Sequence, residues 1–235
     1  MIFRDRREAG WQLAAALAGY RDRRPFVLAI PRGGVVVGYE VAAGLDAPLD
    51  VIVPRKLRAP DNPELAVGAV AHDGSVYFDS PLISNLKIPD DYLRDEIALQ
   101  REEIHRRMRL YRGDRPAPAV DGTVAIVVDD GIATGSTMVA ALRAARAMRP
   151  AQLVAAIPVG PSDGVPLLRR EADDVVCLHT PGLFYAVGQF YDDFAQTTDD
   201  EVIALLRRRE EEVTRERGNA GMRERELGSN GRIEE

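Results

Sequence analysis

The chain has 235 residues, with 31 Lys and Arg against 37 Asp and Glu, and a formal net charge of −6. Its hydrophobic content of 46% suits one globular domain, no apolar run approaches the roughly 20 residues of a membrane span, and the acidic balance argues against a nucleic-acid partner. One cysteine, Cys177, rules out an internal disulfide and a cysteine zinc cluster. The charged first residues lack a signal-peptide core, so a cytoplasmic protein without a membrane partner is expected.

In chain order, Leu13, Ala16, Leu17 and Tyr20 fall at helical spacing and predict an N-terminal helix. Residues 25–30 form a short apolar run stopped by Pro31-Arg32-Gly33-Gly34, a buried strand followed by a glycine turn. A helix is predicted over 35–45 and a second strand over 49–57. The stretch 59–64, with Pro60 and Pro63 and no periodicity, reads as a mobile loop. Two short strands around a turn at Asp73-Gly74 follow. Residues 90–112 are the clearest amphipathic helix, with Leu93, Ile97, Ile104, Met108 and Tyr111 on one face. Further strands are predicted over 123–130, 151–160 and 174–180, with helices over 136–148 and 166–172 between them. A last helix starts near Asp199. From Arg207 the chain holds eight Arg and eight Glu and predicts a helical extension that frays into disorder. Apolar strands alternating with helices predict an α/β fold, a parallel sheet with helices on both faces. Ligands on such sheets sit at the carboxyl ends of the strands.

The strongest chemical signal is Asp129-Asp130-Gly131-Ile132-Ala133-Thr134-Gly135-Ser136-Thr137. Two acids end a strand, and a glycine- and hydroxyl-rich loop leads into a helix. Free N–H groups at a helix start, with small hydroxyl side chains beside them, suit a phosphomonoester. Carboxylates beside a phosphate would repel it, unless they accept hydrogen bonds from sugar hydroxyls or help hold a cation. Phosphate, diol and metal together describe a phosphorylated ribose. A nucleoside-triphosphate loop would need a lysine, and a dinucleotide fingerprint a third glycine. Neither is present in this stretch. The histidines, His72, His105 and His179, lack metal-ligand spacing.

At these residues the chain resembles the type I phosphoribosyltransferases. The segments around residues 3–10 and 184–194 look like a group of bacterial and archaeal members whose substrate has no settled assignment. The resemblance implies that fold, with a small hood from about 1–24 and 181–206 and a helical insertion at about 90–112. Residues 1–206 would form the domain, and 207–235 the tail. It implies transfer of phosphoribose from 5-phosphoribosyl-1-pyrophosphate (PRPP) to a nitrogenous base, with pyrophosphate release, Mg²⁺ as cofactor and a homodimeric assembly.

Carried over residue by residue, Asp129 and Asp130 would hold the ribose hydroxyls, with Mg²⁺ held mainly through PRPP near them. Gly131, Ala133, Thr134, Gly135, Ser136 and Thr137 would bind the 5′-phosphate side. Arg32, Gly33 and Gly34 would form the pyrophosphate loop. The resemblance also implies a cis peptide at Pro31–Arg32. Arg32, Lys56, Asp129 and Asp130 are the expected catalytic residues, Lys56 reaching the leaving pyrophosphate when its mobile loop closes. Phe184, Tyr185 and Val187 are the expected base contacts, with Asp61 and Glu64 further candidates. Ala133 departs from the 6-oxopurine pattern, which has an acid there. The alternative reading is a non-enzymatic PRPP-binding regulator on the same fold.

Overall fold

The computed structural model describes residues 2–70, 76–113, 115 and 118–230. The main sheet has five parallel strands, β1 (Pro25–Ala29), β2 (Leu49–Val51), β6 (Val124–Val128), β7 (Gln152–Val159) and β8 (Asp174–His179), in the order β2-β1-β6-β7-β8. Alternation along each strand divides the core between two faces. Val27 and Ala29 of β1 and Ile126 and Val128 of β6 pack with Leu13 of α1 (Arg6–Ala16), Val37 of α2 (Gly33–Gly44) and Val202 of α7 (Asp199–Asn230). Phe26, Leu28, Ala125 and Val127 pack on the other face with Met138 and Leu142 of α5 (Ser136–Ala147) and Leu168 of α6 (Gly164–Leu168). These strands read as continuous apolar runs because both faces are covered.

From β1 the chain crosses to β2 on one side, and from β6 to β7 on the other. The carboxyl ends of β1 and β6 therefore flank the topological switch point, where such sheets form a crevice. Gly38 allows α2 to lie close over β1, since a Cβ there would come within 2.7 Å of the Ala29 Cβ.

Between β2 and β6 stands an insertion with its own core. It comprises the antiparallel strands β3 (Arg55–Ala59), β4 (Asn62–Val70) and β5 (Val76–Phe78) and the helices α3 (Ser80–Leu86) and α4 (Asp90–Arg112). Leu57, Val67, Val70, Ile88, Leu93 and Ile104 are buried together there. The insertion is thus a three-stranded sheet with two helices: the two short strands predicted on either side of residues 73–74 are β4 and β5, the predicted helix over 90–112 is α4, and β3 and α3 are added to them. The expected mobile loop at 59–64 is instead the turn and first strand residues of a hairpin, with Ala59 paired to Asn62 and register shifts on either side of Arg58. Those irregularities, and the prolines, hide the period-2 pattern. The predicted turn at Asp73-Gly74 and His72 lie outside the described residues.

One further expectation is corrected. Helix α1 is not hood. Its Leu13 and the following Leu17 are fully buried against the sheet. The helical extension predicted after residue 206 is present, and α7 runs to Asn230. Arg209 is buried, donating through Nε to Ala47 O at 2.9 Å and pairing with Glu212 and Glu216 at 3.2 Å. Arg and Glu three or four apart support one another on a helix, and the aliphatic stem of Arg209 supplies apolar area that a charge count misses. No helix among the described residues is long and apolar enough to cross a membrane.

The insertion core generates a prediction. Leu57→Ala should cost about 2–5 kcal/mol in urea unfolding. Amides of β3 should be protected from hydrogen exchange in the ligand-free protein, as expected of a paired strand.

Candidate active site

Two loops meet at the switch point. After β1, the peptide Pro31–Arg32 is cis, and α2 begins at Gly33 with no side-chain cap. After β6 come Asp129 and Asp130. The loops touch: a Cβ on Gly34 would lie 2.9 Å from both Cα and Oδ1 of Asp129, and one on Gly33 would collide with Asp130 Oδ2. Glycine is required at both places because the acids occupy the space a side chain would take. Beyond the acids, Gly131 and Gly135 have φ of +152° and +74°, in the region that favours glycine, and Gly135 starts α5 without a side-chain cap. Two helix N-termini with free N–H groups thus stand at the ends of adjacent strands, flanking a pair of carboxylates.

Thr134 Oγ1 and Ser136 Oγ lie 2.7 Å apart, and Lys56 Nζ, from β3, donates to Ser136 Oγ at 2.9 Å. The lysine therefore sits on the hydroxyl loop at the start of α5, and not on a mobile segment. Ala133, Thr134 and Thr137 are exposed, whereas Gly131 and Gly135 are buried. Arg32 is partly exposed and makes no ion pair among the described residues. Arg55, the residue before Lys56, turns away to Gln100 Oε1 of α4 at 2.7 Å.

The expected base contacts separate. Phe184 stacks on Phe190, with ring centroids 5.3 Å apart, as part of the hood core. Val187 packs at the site, its Cγ1 2.6 Å from where a Gly131 Cβ would stand. Tyr185 is 84% exposed and Asp61 lies in the exposed hairpin turn, so neither is packed against the acids.

Two residues at the acids escaped the sequence reading. Arg6 Nε donates to Asp130 Oδ2 at 2.7 Å, and Tyr191 Oη donates to the Asp130 backbone carbonyl at 2.6 Å. Both come from segments far along the chain. A local signal for Arg6 existed: a cation at the first residue of a helix opposes the macrodipole and needs a partner elsewhere.

A match to the phosphoribosyl transferase domain covers residues 4–195. The crystal structure of TT1426 from Thermus thermophilus is 44% identical, with a TM-score of 0.81 over 88% of this chain and 98% of that one. In Mycobacterium tuberculosis, "Putative phosphoribosyl transferase Rv0571c" and "Putative phosphoribosyl transferase MT0597", from two strains, are each 45% identical over 205 residues, 87% of this chain. The chain spans 46% of the length of these curated relatives. The chain belongs to the phosphoribosyltransferase family. Its five-stranded parallel sheet, covered by helices on both faces, is that family's fold, with a small antiparallel sheet added.

In this member of the family the two carboxyl groups are strained electrostatically. Burial first, and the Asp130 charge second, hold Asp129 well above the usual carboxylate range. Burial also raises Asp130, against the opposing pull of Arg6. Burial, reinforced by Asp130, raises the Tyr191 phenol too, so it remains a donor.

The sign for stability follows. A carboxyl raised in the folded state holds its proton where the unfolded chain has lost it. Its contribution is present below the unfolded value of 3.8 and is lost as pH rises through the folded value. Asp129→Asn keeps an Oδ1 acceptor for the Asp130 N–H, at 2.9 Å in the wild type, and removes the charge. It should raise the melting temperature of the ligand-free protein at pH 8, with the gain shrinking towards pH 4. Thermal unfolding across that range checks it, and a variant less stable than wild type at pH 8 would contradict it.

Proposed function

We propose that this protein binds PRPP and transfers its phosphoribosyl group to a nitrogenous base, releasing pyrophosphate. The observation that carries the reading is the contact of the glycine turn with the carboxylate pair at the switch point, beside a hydroxyl loop that opens α5. Three different anion or hydroxyl subsites lie in sequence there, and PRPP carries three matching groups in that order.

The 5′-phosphate goes to the start of α5. Backbone N–H groups from Thr134 to Thr137, the hydroxyls of Thr134, Ser136 and Thr137, and the Lys56 ammonium receive it, with Gly131, Ala133 and Gly135 shaping the loop. Asp129 and Asp130 accept hydrogen bonds from the ribose hydroxyls. The pyrophosphate lies against Gly33 and Gly34 at the start of α2, where Arg32, without an ion pair among the described residues, can offer it a guanidinium. The hood above Gly131, with Val187 packed on it, borders the acceptor. Lys56 therefore serves the 5′-phosphate in this reading, since its ammonium rests on Ser136 Oγ. The reacting centre gains positive character as pyrophosphate departs. The carboxylates beneath the ribose favour that charge, and Arg32 and the α2 N–H groups favour the negative charge that leaves.

The donor set suits Mg²⁺. Among the described residues no group of three or more metal-capable side chains exists, and the acids at the site are two adjacent carboxylates. A small octahedral cation takes one or two carboxylates and draws its remaining ligands from substrate phosphates and water. When bound it neutralises pyrophosphate charge. Asp129 and Asp130 would hold it together with PRPP.

The test follows pyrophosphate release with PRPP, Mg²⁺ and a panel of nucleobases, alongside calorimetry of PRPP binding. Asp129→Asn/Asp130→Asn should weaken PRPP binding about tenfold or more, because charged hydrogen bonds are worth roughly 1.5–3 kcal/mol each. Lys56→Ala should weaken inorganic phosphate and PRPP binding alike, about tenfold. Unchanged PRPP affinity in the double variant would overturn the ribose assignment.

A further inference from the structure

The N-terminal arginine at the acids is unexplained by the reading above. Arg6 is the first residue of α1, set by Asp5, whose side chain caps the helix by accepting from Glu8 N at 2.8 Å. Its guanidinium is held on three sides. Nε donates to Asp130 Oδ2 at 2.7 Å, Nη1 donates to Ala195 O at 2.7 Å, and the plane lies over the Phe194 ring at 3.8 Å. Its side chain is only 11% exposed. A Cβ on Gly33 would stand 2.8 Å from Arg6 Nε, so the glycine turn also leaves room for the ion pair.

Phe194 packs on Tyr191 with centroids 5.0 Å apart, and Tyr191 packs on Phe3 at 5.4 Å. Tyr191 in turn holds the Asp130 carbonyl. Asp130 is thereby gripped at its side chain by Arg6 and at its backbone by Tyr191, both anchored in one aromatic stack.

We propose that Arg6 is a positioning residue for PRPP: it fixes the Asp130 carboxylate in the orientation that receives a ribose hydroxyl, and so makes the hood part of the sugar site. This rests on the reading of Asp129 and Asp130 as ribose acceptors. The geometry supports it over a purely structural pair. Arg6 engages Oδ2 through a single N–H and spends Nη1 on Ala195, so it does not clasp the carboxylate with the two parallel bonds that a guanidinium makes when the pair alone is the purpose. The hydroxyl loop and Lys56 lie elsewhere, so phosphate binding does not depend on Arg6.

The test compares binding of ribose 5-phosphate and of inorganic phosphate by calorimetry in wild type, Arg6→Met, Arg6→Lys, Asp130→Asn and the Arg6→Met/Asp130→Asn protein. Arg6→Met should weaken ribose 5-phosphate about tenfold, the loss of one charged hydrogen bond's orientation, and leave inorganic phosphate within about twofold. In the Asp130→Asn background the same change should add less than about twofold, because the two residues act as a unit. Arg6→Lys, which keeps the charge but not the fork, should fall between. Should Arg6→Met fail to fold, Arg6→Lys carries the same cycle. Unchanged ribose 5-phosphate affinity, a loss fully additive with that of Asp130→Asn, or an equal loss for inorganic phosphate would each overturn the proposal. An Asp130→Asn protein that binds ribose 5-phosphate like wild type would overturn the ribose reading itself, and the role of Arg6 with it.

Discussion

The site depends on one steric fact: two consecutive residues without side chains lie against two consecutive carboxylates. Gly33 and Gly34 open α2 within contact of Asp129 and Asp130, and a methyl group at either position would strike the acids or their backbone. This contact brings two helix starts and two carboxylates into one crevice. Sheet order places the crevice, but glycine closes it. The arrangement has an electrostatic cost, since like charges are packed together away from water. Arg6 meets part of that cost at Asp130, and the helix starts on either side hold the remaining positive potential for a ligand's anionic groups.

Most of the main sheet was legible because its strands are apolar on both faces and are punctuated by turn residues. The hydroxyl loop and the glycine turn were legible as motifs. Their juxtaposition was not, because it depends on β1 and β6 being neighbours, which no local pattern states. In the small antiparallel sheet the pair β4 and β5 was legible, but β3 was hidden for a different reason. Strand β3 contains Arg55, Lys56 and Arg58, and its bulged pairing breaks the alternation that identifies a strand. Its buried members, Leu57 and Ala59, are too few to signal a core without α3 and α4.

Arg209 and Arg6 share a lesson. Both stand in charged segments whose composition suggests solvation, and both are enclosed because their Nε groups reach partners on distant elements, Ala47 O for Arg209 and Asp130 for Arg6. A buried guanidinium requires such a set of partners. Aromatic residues showed the converse. Phe184, which reads in sequence as a ring for a ligand, stacks on Phe190, while Tyr191, unremarked in sequence, holds the main chain of an acid.

The parts that grip Asp130 are spread from Phe3 to Ala195. During synthesis, the arginine emerges first, the acids follow more than a hundred residues later, and the aromatic stack is complete only when some sixty more have been added. Chains with such distant contacts close their last loops late in folding. A ribosome-bound fragment ending before the hood would lack the Phe194, Ala195 and Tyr191 contacts that hold Arg6 and Asp130, and the finished site is a property of the whole domain, not of the motif that marks it.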